Sequence, residues 1–320
     1  MANYTTVNDL KADALFRAGE DATGGSTYDT KVVEYLNAVQ LGLLMGGPFG
    51  PSDEKGTTLP VVDWLWARKR PPGVFNTKAQ ITTGTVSATK GSTTITFSSG
   101  PTASVANYHI RINSLSPVMR ITAHTGGQTT ATLETEWTED SQTSVTYKLF
   151  CIEYSLASDF LRLVGQFNIP SDPYKIDVVD LDAMEDRYPL TMIAAGTPNM
   201  AAFIGPATIR LNKWTEDVLR VEYNYIYTPD DLATGGTPVL LRHHRRILAV
   251  GAACLIAFDK SDSKAQSLLL EMQAIMRGMM QEHAHQAHRA AAGFGSIKAR
   301  QDQLTYSDGP LRTESGLVIG

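Results

Sequence analysis

Cysteine is scarce in this 320-residue chain, which contains only Cys151 and Cys254. The two do not form a C-x-x-C pair, so neither a disulfide scaffold nor a thiolate zinc site is expected. A continuous run of about 18 apolar residues, the length of a membrane span, is also missing. The first eight residues lack a basic region followed by an apolar run, so we expect no signal peptide and synthesis in the cytoplasm.

Positive charge is in deficit, with 28 Lys and Arg against 33 Asp and Glu and a formal net charge of −5. Proteins that grip duplex nucleic acid are usually basic, so tight nucleic-acid binding is not expected. The remaining composition, 42% hydrophobic and 19% charged, is typical of a globular protein. A chain of this length can form two or three packed units.

Short catalytic motifs are missing as well: the sequence has no G-x-S-x-G, no H-E-x-x-H and no GKS or GKT. An acidic stretch could supply paired carboxylates, but we interpret it as the solvated face of a short helix that ends at Pro189. Its members are Asp177, Asp180, Asp182, Glu185 and Asp186. We therefore predict no catalytic residue, no cofactor and no metal site, and a protein that is not an enzyme.

Histidines occur in two groups near the C-terminal end. His243 and His244 are adjacent, and consecutive side chains of a helix diverge, so we expect one buried and one exposed ring and no shared ligand. His285 and His288 share a helix face, whereas His283 points elsewhere. No carboxylate or cysteine completes a metal site there, so we interpret these three as a surface helix end.

Helical periodicity is strongest in residues 237–290, which we predict to be a helix, a polar turn at 259–263 and a second helix. The apolar face of the first helix begins at Leu241 and includes His244, Leu248, Ala252, Leu255 and Phe258. Small residues around Gly251 would let another helix approach closely. The second helix repeats Leu268, Met272, Ile275 and Met279 at helical spacing.

Residues 1–76 are predicted to hold two more helices, within 4–46, and a linker. Thr6 or Asn8 can cap the first helix. A two-helix piece of this size cannot bury enough surface alone, so it should pack against the C-terminal pair. In the linker, Trp64 and Trp66 are expected to anchor the chain. The basic run at 68–70 is either a solvated charge run or a patch for phosphate or an acidic partner.

Threonine and serine dominate residues 77–150, where short alternating segments predict a small β-sandwich or barrel. Turns are expected at Lys90-Gly91 and at Gly126-Gly127. Residues 151–236 are predicted to be a mixed β segment. The fold class is thus α+β: an α-helical bundle formed by the N- and C-terminal helix pairs, with an inserted small β domain.

Residues 291–320 have too few apolar residues for a core of their own, so we predict an extended tail that folds on a partner. Its spaced apolar residues would be the anchors, and its basic residues would meet acidic groups of the partner. The anchors are Leu304, Tyr306, Leu311, Leu317 and Ile319, and the basic residues are Lys298, Arg300 and Arg312.

The order of these parts resembles the head-to-tail adaptor (connector) proteins of tailed bacteriophages over about residues 4–290. The strongest segments are GTVSATKGSTTITF at 84–97, RITAHTGGQTTATLETEW at 120–137, YSLASDFLRLV at 154–164 and RYP at 187–189. This sequence departs from the family in its longer Gly/Ala-rich tail.

The resemblance implies a structural virion protein of the neck or tail. Helices would form a homo-oligomeric ring, usually dodecameric, under the portal protein, and a tail or nozzle protein would bind below. DNA would pass through the ring without specific binding, and the C-terminal tail would reach into the portal. We expect the isolated chain to be mainly monomeric and to form the ring on the portal.

Two other classes of function stay open at the level of sequence. One is a tail accessory protein whose β domain binds carbohydrate or a host surface, which exposed aromatic side chains would favour. Only Tyr108, Trp137 and Tyr147 are candidates in that domain. The other is an enzyme whose site has no recognisable motif; turnover would reveal it.

The tail prediction is tested by truncation after Ala291. Ordering a free tail costs about 1–2 kcal/mol of backbone entropy per residue, so only burial on a partner can offset it. The truncated protein should stay soluble and helical but no longer co-sediment with the portal protein. Full occupancy of the portal by the truncated protein would instead assign the anchor to the helices.

Overall fold

The computed structural model describes residues 4–21, 27–50, 57–113, 117–172 and 175–294, with the side chains of the last helix described to residue 284. The chain divides into two units. The helical unit comprises Met1–Ala67 and Asp230–Gly320, and the β unit comprises Arg68–Pro229. Among the described residues, no helix combines the length and the apolar composition needed to cross a membrane.

The α-helices are α1 (Val7–Arg17), α2 (Lys31–Met45), α3 (Leu181–Arg187), α4 (Arg246–Asp259) and α5 (Lys264–Phe294). The first eight strands are β1 (Gly47–Phe49), β2 (Thr57–Leu59), β3 (Gly73–Asn76), β4 (Val86–Ala88), β5 (Thr94–Phe97), β6 (His109–Ile112), β7 (Val118–Ala123) and β8 (Thr130–Leu133). The others are β9 (Gln142–Val145), β10 (Tyr147–Phe150), β11 (Glu153–Ser155), β12 (Phe160–Asn168), β13 (Lys175–Val178), β14 (Met200–Gly205), β15 (Thr208–Leu211) and β16 (Arg220–Tyr227).

Helix α4 is the centre of the helical unit and contacts α1, α2 and α5. From Ile247 to Ala257 every residue is buried except the partly exposed Leu255. The predicted single apolar face of this helix is therefore too narrow. Its predicted start is also wrong, because residues 242–245 form turns and Leu241 is 41% exposed.

An arginine fixes the chain ahead of α4. The guanidinium of Arg245 donates to the backbone carbonyls of Tyr4, Thr5, Pro238 and Leu240 at 2.9–3.2 Å. Backbone carbonyls that leave water need such partners, so one side chain satisfies four acceptors from two distant parts of the sequence. This network accounts for a turn where periodicity predicted a helix.

Two sequence expectations are confirmed, the cap of the first helix and the anchoring of the linker by Trp64. Thr6 caps α1 in a capping box with Asp9. Trp64 is buried and donates its indole N–H to the carbonyl of Leu43 at 2.7 Å. Gly251 of α4 meets α2 so closely that an added Cβ would lie 2.8 Å from both γ-carbons of Val39.

The first sheet of the β unit has the order β10-β6-β7-β8-β5-β4-β9 and is antiparallel throughout. Its two edge strands are consecutive, with only Thr146 between them. One continuous stretch, residues 142–150, thus pairs with β4 in its first half and β6 in its second, which curls the sheet into a nearly closed barrel. Predicted turns lie at Gly91 and Gly127, both at positive φ.

The second sheet has the order β11-β15-β14-β13-β12-β16-β3. Only β13 and β14 are parallel, and α3 lies in the connection between them, as a parallel pair requires a crossover. Strand β3 joins the edge by pairing with β16, about 145 residues later in the chain, since Phe75 faces Val221.

Both sheets contribute to one apolar core in the β unit. The second sheet supplies Phe75, Phe167 and Tyr223, and the first supplies Ile110 and Phe97. Arg68, the first residue of the β unit, forms a β-bridge with Ile226 of the last strand, so the two ends of this unit lie close together.

The predicted fold class, a helical bundle with a small inserted β domain, is wrong. The architecture is mostly β, with two seven-stranded sheets, and the described residues form five α-helices. Residues 151–236 were underestimated in part because β11, β13 and β15 have only three or four residues each, too short a window for periodicity. The pairing of β3 with β16 is non-local and leaves no pattern in either segment.

The contact between α2 and α4 predicts opposite effects for two glycine substitutions. Gly251→Ala should lower the free energy of unfolding by about 1–2 kcal/mol, because overpacking against the stiff Val39 outweighs the gain in helix propensity. Gly278→Ala is the matched control: a Cβ there meets nothing within 4 Å, so stability should rise by about 0.5–1 kcal/mol. Urea unfolding measures both, and equal stability of the two variants would refute the close contact.

Candidate functional site

The predicted partner-binding residues of the tail lie outside the described residues. They are Lys298, Arg300, Leu304, Tyr306, Leu311, Arg312, Leu317 and Ile319. Their assignment therefore stays a prediction.

The acidic stretch around α3 has local structural roles. Asp180 caps the helix by accepting from the backbone N–H of Asp182 at 3.2 Å. Glu185 accepts from the buried guanidinium of Arg210 at 2.6 Å. Asp182 and Asp186 are exposed, which confirms the interpretation of a solvated face for these two.

The basic run is compensated at Lys69, within the β unit. Its ammonium pairs with Asp159 at 2.5 Å and lies 4.9 Å from the ring centroid of Tyr227. Burial alone would raise the pKa of Asp159, but hydrogen bonds from Lys69 and Tyr225 outweigh it and hold that pKa below its ordinary value. Lys69 therefore makes a salt bridge and a cation–π contact, which fits a structural role better than an open patch for phosphate.

A cavity of about 470 Å³ in the β unit is lined by polar side chains that include Lys78, Asn107, Arg120 and Glu153. Arg120 contacts two of the other residues that line this cavity. The guanidinium donates to Asn107 at 3.1 Å and lies 3.4 Å from a carboxylate oxygen of Glu153. These contacts pair the charges of Arg120 and Glu153.

His109 contacts Glu153, which lines this cavity: its Nε2 lies 3.6 Å from that carboxylate, and its side chain is only 3% exposed. Burial, together with the positive charges of Arg120 and Arg210, lowers the pKa of His109 to about 4. The imidazole is therefore neutral at physiological pH, and it stacks on Phe150 at 6.0 Å between ring centroids.

Cys151 and Tyr154, which also line the cavity, are uncharged as well. Burial raises the pKa of the Cys151 thiol and that of the Tyr154 hydroxyl. The Tyr154 hydroxyl donates to the carbonyl of Cys151 at 2.9 Å and accepts from the N–H of Lys78 at 3.1 Å. A protonated thiol and a fully bonded phenol make this cavity a structural polar network and leave it without an activated nucleophile.

The helical unit brings together a group that the sequence interpretation kept apart: His243, His244 and Glu282. His243 Nε2 lies 3.0 Å from Glu282 Oε1, and His244 Nε2 lies 2.8 Å from Glu282 Oε2. The expectation that adjacent histidines cannot share a ligand is wrong, because they belong to the turn before α4 and not to a helix. Their rings meet edge to face with centroids 4.0 Å apart.

One part of that expectation is confirmed: the His244 side chain is 9% exposed, whereas that of His243 is 57% exposed. Hydrogen bonds from His244 first, and from His243, hold the pKa of Glu282 below its ordinary value. Sequence alone offered one signal for this contact. The histidines and Glu282 are separated from the turn after α4 by similar numbers of residues, on opposite sides of it. In an antiparallel helix pair, residues at equal sequence distances from the turn face each other.

Large apolar side chains are exposed mainly on the helical unit, although this unit has a filled core. Examples on α1 and α5 are Phe16, 76% exposed, and Leu270, 65% exposed. Each is next to a member of the ion pair between Arg17 and Glu271, whose closest atoms lie 3.1 Å apart. The others on this unit are Leu41, Met45, Val61, Leu65, Val239, Leu241 and Met280.

No protein-family model matches the chain, and no curated protein matches it in sequence.

The depressed pKa of His109 predicts a pH-dependent stability. Below the ordinary pKa of 6.5 the unfolded chain binds a proton that the folded protein does not accept until about pH 4. The free energy of unfolding should therefore fall as the pH drops through this window, by about 1.4 kcal/mol per pH unit for this group. His109→Phe, which cannot titrate, should flatten the slope by that amount in urea unfolding series.

The matched control for this experiment is Ile110→Val, at the next position of the same strand. It should cost about 0.5–1.5 kcal/mol at every pH and leave the curve parallel to that of the unsubstituted protein. An unchanged slope in His109→Phe would show that His109 is protonated in the folded protein.

Proposed function

We propose that this protein is a structural subunit of the neck of a tailed bacteriophage: a ring-forming head-to-tail adaptor that joins the portal to the tail. The segments quoted above for the family resemblance support the proposal, and they fall on both sheets of the β unit. The ring is a dodecamer through which DNA passes, as is usual in that family.

The observation that carries the proposal is the set of exposed apolar side chains on the helical unit. Its own core is filled by α4, so these side chains are surplus to folding. Exposed apolar patches of this kind mark association surfaces. In an adaptor ring the neighbouring copy covers them, and the resemblance assigns ring formation to the helices.

Charge supports the same proposal. A net charge of −5 disfavours a strong grip on phosphates, and attraction along a DNA channel would retard passage. The compensated cavity of the β unit also fits a structural role better than an enzymatic one.

The alternative, a carbohydrate- or host-binding β module, loses the feature that would have favoured it. Tyr108, Trp137 and Tyr147 are 8%, 1% and 3% exposed. None of the three can present its ring to a sugar, where stacking on an open aromatic face would be needed.

Ring formation is tested with Phe16→Gln, studied alone and with the portal protein. The unsubstituted chain should be mainly monomeric by light scattering and form rings on the portal in negative-stain images. Replacing an apolar side chain that is buried at the subunit contact by a polar one lowers the free energy of association by about 1.5–3 kcal/mol per contact. Ring assembly should therefore require about 10–100-fold more protein.

The matched control is Met192→Gln in the β unit, because Met192 and Phe16 are both 76% exposed. It should assemble as the unsubstituted chain does. Normal assembly of Phe16→Gln would show that α1 is not part of the interface. Failure of the unsubstituted chain to bind portal in any form would refute the adaptor proposal itself.

A further inference from the structure

Two imidazoles of the turn before α4 contact one carboxylate of α5. Two histidines are an unusual pair of partners for a single glutamate. One ring nitrogen of His243, one of His244 and one carboxylate oxygen of Glu282 all lie within 4.8 Å of one another. Both imidazoles direct the same nitrogen at the same carboxylate. Three donor atoms that converge in this way can be bridged by a proton, as in a hydrogen bond, or by a metal ion.

We propose that His243, His244 and Glu282 form a binding site for Zn²⁺ or a similar late first-row divalent ion. Two histidine nitrogens and one carboxylate oxygen are a known zinc donor set, with a water molecule in the fourth position. Mg²⁺ and Ca²⁺ prefer sites made of oxygen alone, so they fit poorly here.

The distances are close to those that zinc needs. Tetrahedral bonds of about 2.0–2.2 Å place neighbouring donor atoms about 3.3–3.6 Å apart. The nitrogen–oxygen contacts are now 2.8–3.1 Å, so each must open by less than about 1 Å to admit the ion. His243 is the exposed ligand and can make that adjustment by side-chain rotation.

Nearby charges and the hydrogen bonds of the other imidazole nitrogen set the strength of binding. When Nε2 binds a metal, the imidazole proton moves to Nδ1, which normally donates to an acceptor. The Nδ1 of His244 is buried and has no hydrogen-bond partner among the described residues. Arg242, Arg245 and Arg246 add positive charge nearby in sequence. We therefore expect micromolar affinity, weaker than that of a structural zinc finger.

Zinc bound here would cross-link the segment before α4 to α5. The same segment carries Arg245, whose bonds reach the carbonyls of Tyr4 and Thr5. An ion at this position therefore stabilises the place where the N-terminal residues, the α4 turn and α5 converge. This consequence holds whether or not the chain forms an adaptor ring.

The test is calorimetric titration of the full chain, purified without a polyhistidine tag, with zinc sulfate. We expect one ion per chain, a micromolar dissociation constant, and a zinc-dependent rise in melting temperature. His243→Asn and Glu282→Gln should each weaken binding by at least about tenfold and abolish the thermal shift. Both residues are partly exposed, so neither change should unfold the protein.

The matched control is the double variant His285→Asn, His288→Asn, which removes the other pair of histidines with metal-ligand spacing from the same helix. It should bind zinc as the unsubstituted chain does. Binding that survives His243→Asn, or that disappears in the control variant, would place the ion elsewhere. No binding up to millimolar zinc would show that the three side chains form a hydrogen-bonded cluster only.

Discussion

The burial of α4 on almost every side is the constraint on which the helical unit depends. A helix with a single apolar stripe needs one neighbour, but α4 is apolar around its circumference and needs several. Those neighbours, α1, α2 and α5, come from opposite ends of the sequence. Neither end can therefore form a stable unit alone. The fit of Gly251 against Val39 sets the spacing, since any larger residue would force the helices apart.

Within the β unit the equivalent constraint is closure. Residues 142–150 serve both edges of the first sheet, which leaves few unpaired backbone groups to attract another chain. The second sheet is completed by β3, and the bridge between Arg68 and Ile226 holds the two ends of the unit together. The apolar core common to both sheets means that residues 77–150 lose part of their covering if they are excised, although they contain a complete sheet.

Local signals were predicted well from the sequence and non-local ones were not. The Thr6 cap, the turns at Gly91 and Gly127 and the small face at Gly251 depend on a few neighbouring residues, and the structure has all of them. The extent of the second sheet was missed because its edge strand β3 pairs with β16, about 145 residues later in the chain. The site at His243 was missed for a related reason: its geometry depends on a turn that long-range bonds from Arg245 impose.

The two units use their polar groups in opposite ways. In the β unit, burial keeps His109 and Tyr154 neutral, and the charges of Arg120 and Glu153 compensate each other, so its chemistry is directed inward. The helical unit instead leaves apolar side chains exposed, and of its His–His–Glu group it exposes His243 while it buries His244. Polar groups lie at a surface by default because burying them without a partner is costly, whereas contiguous exposed apolar side chains mark contact with another molecule. This asymmetry is the physical basis for placing the proposed association surface on the helical unit.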